Sequence, residues 1–142
     1  MITVIVTGHG SLADGMLNAS KLISGSHRRI YAVNFPAEES TDDLKAKLRE
    51  AINAYDGEVL ILADIAGGSP FNMSVLLKGE LTDRCIEIVS GVNVPMLVSA
   101  VLEREGKSAA EVAESITETA QHSIHRFEYK KIPTPQDCGE GK

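Results

Sequence analysis

The stretch VLILADIAGGSPFN, residues 59–72, decides the fold class. It begins with a continuously apolar run that ends at Asp64, which is the pattern of a short β-strand buried on both faces of a parallel sheet. A glycine pair and Ser69 follow, and Pro70 stands at the first position of a predicted helix, where its missing N–H group costs nothing. Strand, turn and helix in this order form the repeating unit of an α/β sheet.

The same unit recurs along the rest of the chain. Other β-branched or apolar runs predict strands at residues 2–6, 30–35 and 85–90, and helical spacing of apolar residues predicts helices at 11–25, 41–55, 95–104 and 108–121. We therefore predict one α/β domain over residues 1–130: an open, mostly parallel, doubly wound sheet with helices on both faces and the common strand order 2-1-3-4. Residues 124–130 are a candidate last strand, and residues 131–142 are predicted to be a disordered tail.

Polar residues at helix starts support these boundaries. Ser11 and Asp14 have the spacing of a capping box, as do Ser108 and Glu111, and Asn93 is placed to cap the helix that follows it. In a capping box the two side chains each accept a hydrogen bond from an N–H group that the helix leaves unpaired. The spacing therefore predicts side-chain caps at three helix starts.

Composition excludes several classes of function. The chain has 142 residues and a formal net charge of -6, and its 14 Lys and Arg are scattered, which argues against binding to nucleic acid or to an anionic membrane surface. No apolar run approaches the roughly 20 residues of a membrane-spanning helix, and the start has no signal-peptide pattern, so a cytoplasmic location is expected. The two cysteines have neither a disulfide framework nor metal-site spacing.

Three loops leave the carboxyl ends of the predicted strands: TGHGS at 7–11, DIAGGSPFN at 64–72 and SGVNVP at 90–95. In an open α/β sheet the ligand site lies at this edge, where the strand order reverses. With the order 2-1-3-4, strands one and three flank that point. We therefore expect His9 and Asp64 to face each other across it.

A histidine and a carboxylate in this arrangement form a nucleophile. A carboxylate that accepts the N–H of one ring nitrogen fixes the tautomer and leaves the other nitrogen with a free lone pair. Asp64 is the candidate orienting carboxylate and His9 the candidate nucleophile. Gly8 and Gly10 on either side of the histidine leave room for a macromolecular partner to reach the ring.

The neighbouring residues suit a phosphoryl group. Two predicted helix N-termini converge on this edge, and their unpaired N–H groups and positive dipole ends attract anions. We assign phosphoryl binding to Gly67 and Gly68, which can form a backbone nest, to the hydroxyl of Ser69 and to Gly10. No metal ligand set or arginine is present in these loops, so neither a metal nor another cofactor is predicted.

Each signal also has an ordinary structural interpretation. A glycine-flanked residue after a strand is common in α/β folds, and Ser69 followed by Pro70 is a good helix cap without any ligand. The remaining histidines, His27, His122 and His125, lie in polar or terminal segments and suit the solvated surface. The combination at one sheet edge favours the functional interpretation.

Three motifs in these loops match a known family. GHG around His9, DIAGGSPFN at 64–72 and SGVNVPML at 90–97 resemble the mannose-family enzyme IIA of the bacterial sugar phosphotransferase system, over residues 1–130. The resemblance implies that His9 takes a phosphoryl group at Nε2 from the phosphohistidine of the carrier protein HPr. The group then passes to a sugar-specific IIB subunit, whose membrane partners are the IIC and IID subunits. The resemblance also implies a homodimer that exchanges the last strand, an antiparallel one near residues 124–130.

Other classes remain as alternatives. The phosphocarrier subunit of dihydroxyacetone kinase also carries a phosphohistidine. A sirohydrochlorin-type chelatase places HGS after its first strand, but it would need a second histidine where this chain has Asp64. A serine hydrolase that uses Ser69 lacks the expected G-x-S-x-G turn. A regulatory binding module of the same fold would have no need of the His9 and Asp64 pair. The sequence does not identify the transported sugar.

Overall fold

Four parallel strands form the centre of the molecule, which is described here from a computed structural model covering residues 1–130. The strands are β1 (Thr3–His9), β2 (Ile30–Phe35), β3 (Val59–Ala63) and β4 (Ile86–Ser90). They are hydrogen-bonded in the order β2-β1-β3-β4. The helices are α1 (Leu12–Ser24), α2 (Thr41–Ile52), α3 (Ser69–Glu80), α4 (Val94–Glu103) and α5 (Ala109–Gln121).

Helices cover both faces of the sheet, as the continuous apolar strands require. Val4 and Val6 of β1 pack into the core under α1, α4 and α5, whereas Ile5 packs into the core under α2 and α3. All three side chains are fully buried. Successive residues of a strand point to opposite faces, so a strand that is apolar throughout is stable only between two covered faces. The predicted fold class and strand order are confirmed.

β1 runs further than its sequence pattern indicated. The prediction ended the strand at Val6, but pairing with β2 continues to His9 opposite Phe35. Pairing with β3 stops at Thr7 opposite Ala63. The last two residues of β1, Gly8 and His9, therefore extend beyond the last residue of β3 that pairs with β1.

The predicted caps have mixed outcomes. The Ser108 and Glu111 capping box forms, and the Asn93 side chain accepts the Met96 N–H at 2.9 Å. The predicted Ser11 and Asp14 box is wrong, because the Ser11 side chain makes no capping bond.

A residue of β2 takes the place of the predicted α1 cap. The Asn34 side chain accepts the Asp14 N–H at 3.2 Å and donates from Nδ2 to the Asp14 carboxylate at 2.6 Å. Asn34 lies twenty positions further along the chain than Asp14. A local spacing rule cannot find a cap that comes from a neighbouring strand.

The end of α2 also differs from its prediction. Helical spacing predicts one apolar stripe of Leu44, Leu48, Ala51, Ile52 and Tyr55. The first four are buried, but the helix ends at Ile52 and not at Tyr55. The Tyr55 ring is exposed and lies under the guanidinium of Arg29, 4.2 Å from ring centroid to Cζ. This cation–π contact accounts for an aromatic residue outside the core.

The segment after α5 has no regular secondary structure between residues 124 and 130 in this single chain. A strand that pairs with a second subunit would have no partner here, so the exchanged strand stays a prediction. The predicted disordered tail, residues 131–142, and Cys138 within it lie outside the described residues. No helix in residues 1–130 is long and apolar enough to cross a membrane.

Candidate functional site

The structure brings His9 and Asp64 together at the carboxyl edge of the sheet. The ring Nδ1 of His9 lies 2.7 Å from Oδ2 of Asp64, and the same carboxylate oxygen accepts the backbone N–H of His9 at 2.9 Å. β1 and β3 are adjacent strands, and Asp64 immediately follows β3. The contact across the point of strand reversal is the one the sequence predicted.

The carboxylate of Asp64 is held in its ionised form. Its second oxygen, Oδ1, accepts the N–H of Ile65 at 2.9 Å. Partial burial on its own raises the pKa of the Asp64 carboxyl, but the hydrogen bonds from the backbone and ring of His9 and from Ile65 outweigh burial and lower that pKa below its usual range. An ionised carboxylate can only accept, so Nδ1 of His9 carries the proton.

This tautomer leaves Nε2 of His9 with a free lone pair. The His9 side chain is 53% exposed, whereas that of Asp64 is 13% exposed. The orienting group therefore lies below the ring, and the ring itself is open to solvent. Such an arrangement suits a nucleophile that must meet a group carried by another macromolecule.

Two further residues hold the imidazole in place. The ring of Phe35 meets it edge to face, with centroids 5.8 Å apart and planes at 62°. On another side, a Cβ added to Gly68 would lie 2.9 Å from Cε1 of His9. The ring is thus confined by Asp64, Phe35 and Gly68.

Positions 8 and 10, on either side of His9, require glycine for different physical reasons. A Cβ on Gly8 would lie 2.8 Å from Cδ2 of Leu12 and 3.2 Å from Cγ of Asp64, so Gly8 makes room for the carboxylate under the strand. Gly10 has a φ of +62°, a backbone angle that residues with a Cβ rarely adopt. The sequence analysis predicted that both glycines leave room for a partner to reach the ring. In the structure, the absence of a side chain at Gly8 instead leaves room for Asp64 and Leu12.

Two of the amides that the sequence suggested for phosphoryl binding already have partners inside the chain. The N–H of Gly10 donates to the Phe35 carbonyl at 2.7 Å, and the N–H of Gly68 donates to the Ile65 carbonyl at 3.3 Å. The other candidate, Gly67, has a φ of +84° in the turn before α3.

The start of α3 supplies further donors. Gly68 occupies the N-cap position, so Ser69 is the first helical residue and no side-chain oxygen caps this helix. The ordinary interpretation of Ser69 as a helix cap is therefore wrong. The N–H of Asn72 donates to the Gly68 carbonyl at 2.8 Å, so the N–H groups of Ser69 and Phe71 precede the first intrahelical bond.

The third loop supports the others. The N–H of Val92 donates to the Ala63 carbonyl at 3.1 Å, which ties this loop to the end of β3. The Asn93 side chain caps α4 and also donates to the Ser123 hydroxyl at 3.2 Å. Asn93 therefore has the structural role that the sequence indicated.

Sequence reasoning missed two residues at this edge. Phe35 ends the predicted second strand, which the order 2-1-3-4 places next to β1, but its register opposite His9 depends on the extension of β1 beyond Val6. Asn72 belongs to the quoted motif, but no role was assigned to it. Its side-chain Nδ2 donates to the Gly67 carbonyl at 3.0 Å.

The site does not have the ligands of a metal centre. Within residues 1–130, no group of three or more His, Cys, Asp or Glu side chains is placed to hold a metal ion. The residue that follows β3 beside His9 is Asp64, a carboxylate, whereas the chelatase alternative needs a second imidazole at this position.

Comparison with known proteins assigns the family. The model of the EIIA-man family, described as PTS system fructose IIA component, matches residues 3–117. The chain belongs to this family. The EIIA assignment confirms the resemblance drawn from the three motifs, and it favours neither the kinase subunit nor the chelatase.

Individual relatives agree with the family. The chain is 30% identical to the fructose-specific EIIA component of the phosphotransferase system of Bacillus subtilis, over 87% of this chain and 85% of that protein. It is 26% identical to the mannose-specific EIIAB component of Escherichia coli, over 92% of this chain but only 41% of that longer protein. The crystal structure of an EIIA component from Streptococcus agalactiae superimposes with a TM-score of 0.85 and 34% identity, covering 89% of this chain and 98% of the other.

The chain is therefore an EIIA component of a phosphotransferase system, of the mannose and fructose family. Components of this kind are phosphotransferases in the general sense.

Proposed function

We propose that this EIIA chain is a histidine phosphocarrier that accepts a phosphoryl group from phospho-HPr on Nε2 of His9 and passes it to a IIB subunit. The observation that carries the proposal is the 2.7 Å hydrogen bond between Nδ1 of His9 and Asp64, together with the exposure of the ring. This bond directs the lone pair of the other nitrogen toward solvent, where a donor protein can approach.

The transfer step exchanges one phosphorus–nitrogen bond for another. The Nε2 lone pair of neutral His9 attacks the phosphorus in line, and the bond from phosphorus to the donor imidazole breaks, returning its electron pair to the donor nitrogen. The His9 ring becomes positively charged while Nδ1 keeps its proton. The ionised Asp64 stabilises that charge, so positioning and electrostatics supply the catalysis.

The phosphoryl oxygens need hydrogen-bond donors on the outer side of the ring. We assign this role to the hydroxyl of Ser69 and to the first N–H groups of α3, supported by the positive end of the helix dipole and by the Gly67 turn. The amides of Gly10 and Gly68 already donate within the chain, so we assign Gly68 the close approach to the ring and Gly10 the positive φ of the turn after His9.

The remaining partners follow from the family resemblance. Because a phosphocarrier hands its group on, the IIB subunit is the acceptor, and the IIC and IID subunits take part indirectly at the membrane. We propose that the phosphoryl transfer takes place in the cytoplasm. Relatives of this chain are named for fructose and for mannose, so membership of the family does not by itself select a sugar.

A homodimer is also part of the proposal. Ile124, Phe127 and Tyr129 are about four-fifths exposed in the single chain, at 79%, 83% and 81%. Large apolar side chains in a segment without secondary structure suit burial against a second subunit. An exchanged strand at residues 124–130 would provide that burial.

The direct test is phosphorylation of the purified chain. We expect that incubation with phosphoenolpyruvate, enzyme I and HPr adds one acid-labile phosphoryl group to the wild type, detected by intact mass, and none to His9→Ala. His27→Ala is the matched control, because His27 is an exposed histidine away from the site. An unlabelled wild type beside active control proteins would overturn the proposal.

A further inference from the structure

The side chain of Asn72 holds the turn that packs against the candidate nucleophile. Its Nδ2 donates to the Gly67 carbonyl at 3.0 Å, and its backbone N–H donates to the Gly68 carbonyl at 2.8 Å. One residue therefore fixes both carbonyls of the glycine pair. Asn72 lies in the first turn of α3, whose own position is set by Pro70, Ser74 and Leu77 in the core.

The glycine pair in turn confines the imidazole. A Cβ on Gly68 would be 2.9 Å from Cε1 of His9, so the backbone of Gly68 lies directly against the ring edge between the two nitrogens. Gly67 has a positive φ of 84° and no Cβ. Two consecutive glycines form the most flexible kind of backbone, and a turn built from them stays in one place only if other groups hold it.

We propose that Asn72 is a positioning residue for His9, acting through the Gly67–Gly68 turn. With the turn fixed, the ring stays in the orientation in which Nδ1 faces Asp64 and Nε2 faces solvent. Without the Asn72 side chain, the Gly67 carbonyl loses its partner, the turn keeps only its backbone hydrogen bonds, and the imidazole gains freedom to rotate. This inference rests on the proposed function, because it concerns the orientation of the phosphorylated ring.

The location of Asn72 also allows a direct contact with a partner, which kinetics can distinguish from positioning. The residue is exposed, so a contact with the phosphoryl donor or with the incoming group is the competing explanation. A partner contact changes the KM for phospho-HPr. A positioning residue changes kcat, since a nucleophile displaced by about 1 Å can lose on the order of 10²-fold in rate.

The kinetic test compares three variants of the full chain. We expect Asn72→Ala to lower kcat for phosphoryl acceptance by about tenfold at unchanged KM for phospho-HPr. Asn72→Gln, which carries the same donor group, recovers part of the rate. Asn18→Ala is the control, because Asn18 is an exposed asparagine on α1 with no side-chain hydrogen bond among residues 1–130. A change in KM alone for Asn72→Ala would assign Asn72 to the partner interface and overturn the proposal.

A second measurement needs no phosphoryl transfer. Two-bond ¹H–¹⁵N spectra of unphosphorylated wild type are expected to show one His9 tautomer, protonated at Nδ1. In Asn72→Ala the His9 nitrogen shifts move toward the average of the two tautomers, while Asn18→Ala leaves them unchanged. Unchanged His9 shifts in Asn72→Ala would refute the positioning role. A wild type that takes no phosphoryl group would refute the proposed function and leave the spectroscopic result standing on its own.

Discussion

The chemistry of His9 depends on which of its two ring nitrogens carries the proton. The sequence could predict its pairing with Asp64, because both residues follow apolar runs that become neighbouring parallel strands. It could not predict the contacts from Phe35 and Gly68. Those contacts depend on how far β1 extends beyond β3 and on how the turn after β3 folds back. The residue types alone predict neither the strand length nor the turn conformation.

Asp64→Asn tests the charge of the orienting group apart from its shape. The amide oxygen can still accept the Nδ1–H bond, but the amide NH2 cannot accept the Ile65 N–H, and no negative charge remains to stabilise the ring as the P–N bond forms. We expect the rate of phosphoryl acceptance to fall on the order of 10²-fold, measured by rapid-quench transfer from phospho-HPr. Asp56→Asn, at an exposed aspartate away from the site, serves as the control. A rate equal to wild type would show that Asp64 contributes position only.

The lowered pKa of Asp64 has a consequence for stability. A carboxyl whose pKa is lower in the folded than in the unfolded chain contributes stability above its unfolded pKa, and that contribution is lost as pH falls through the folded pKa. We expect the free energy of unfolding to fall more steeply for wild type than for Asp64→Asn below the ordinary value of 3.8. Urea unfolding at several pH values measures both slopes. Parallel curves would contradict the ionised, hydrogen-bonded state of Asp64.

At the scale of elements, local patterns predicted most of the fold. The strands were recognisable as short apolar runs, and the α2 stripe as far as Ile52 and the Ser108 capping box were correct because each depends on residues close in sequence. The errors lie where residues distant in sequence make contact. The α1 cap by Asn34 and the extension of β1 along β2 depend on residues from other elements, and the chain that follows α2 is contacted by Arg84 and Arg29.

The connection between β3 and α3 offers a matched pair of glycine substitutions. Gly68→Ala places a Cβ 2.9 Å from Cε1 of His9, whereas Gly79→Ala, near the end of the same helix, meets nothing within 4 Å. We expect Gly68→Ala to lower the transfer rate at least about tenfold because the ring must shift. Gly79→Ala should keep the rate and stabilise the helix by about 0.8 kcal/mol. Equal rates for the two variants would show that the Gly68 contact does not constrain the nucleophile.

At the scale of the whole molecule, one edge of the sheet carries the site and another edge is open. β4 is the last strand of the sheet, and in the described residues it pairs only with β3. An unpaired edge strand is a surface on which another strand can add. The segment 124–130 follows α5, which packs against β4, and it presents exposed apolar side chains. A strand from a second subunit would cover the open edge and bury those side chains together.

Two truncations test the proposed strand-exchanged dimer against other modes of association. A chain that ends after Ser123 keeps all four strands and five helices described here, and a chain that ends after Lys130 also keeps the candidate strand. We expect sedimentation equilibrium to give a dimer for the full chain and for the chain ending at Lys130, and a monomer for the chain ending at Ser123. A physical reason supports the contrast: the shorter chain loses both the backbone pairing and the apolar burial, while the longer one loses neither. If the chain ending at Ser123 remains a dimer, the subunits associate through the faces of their helices, and the segment 124–130 has another role.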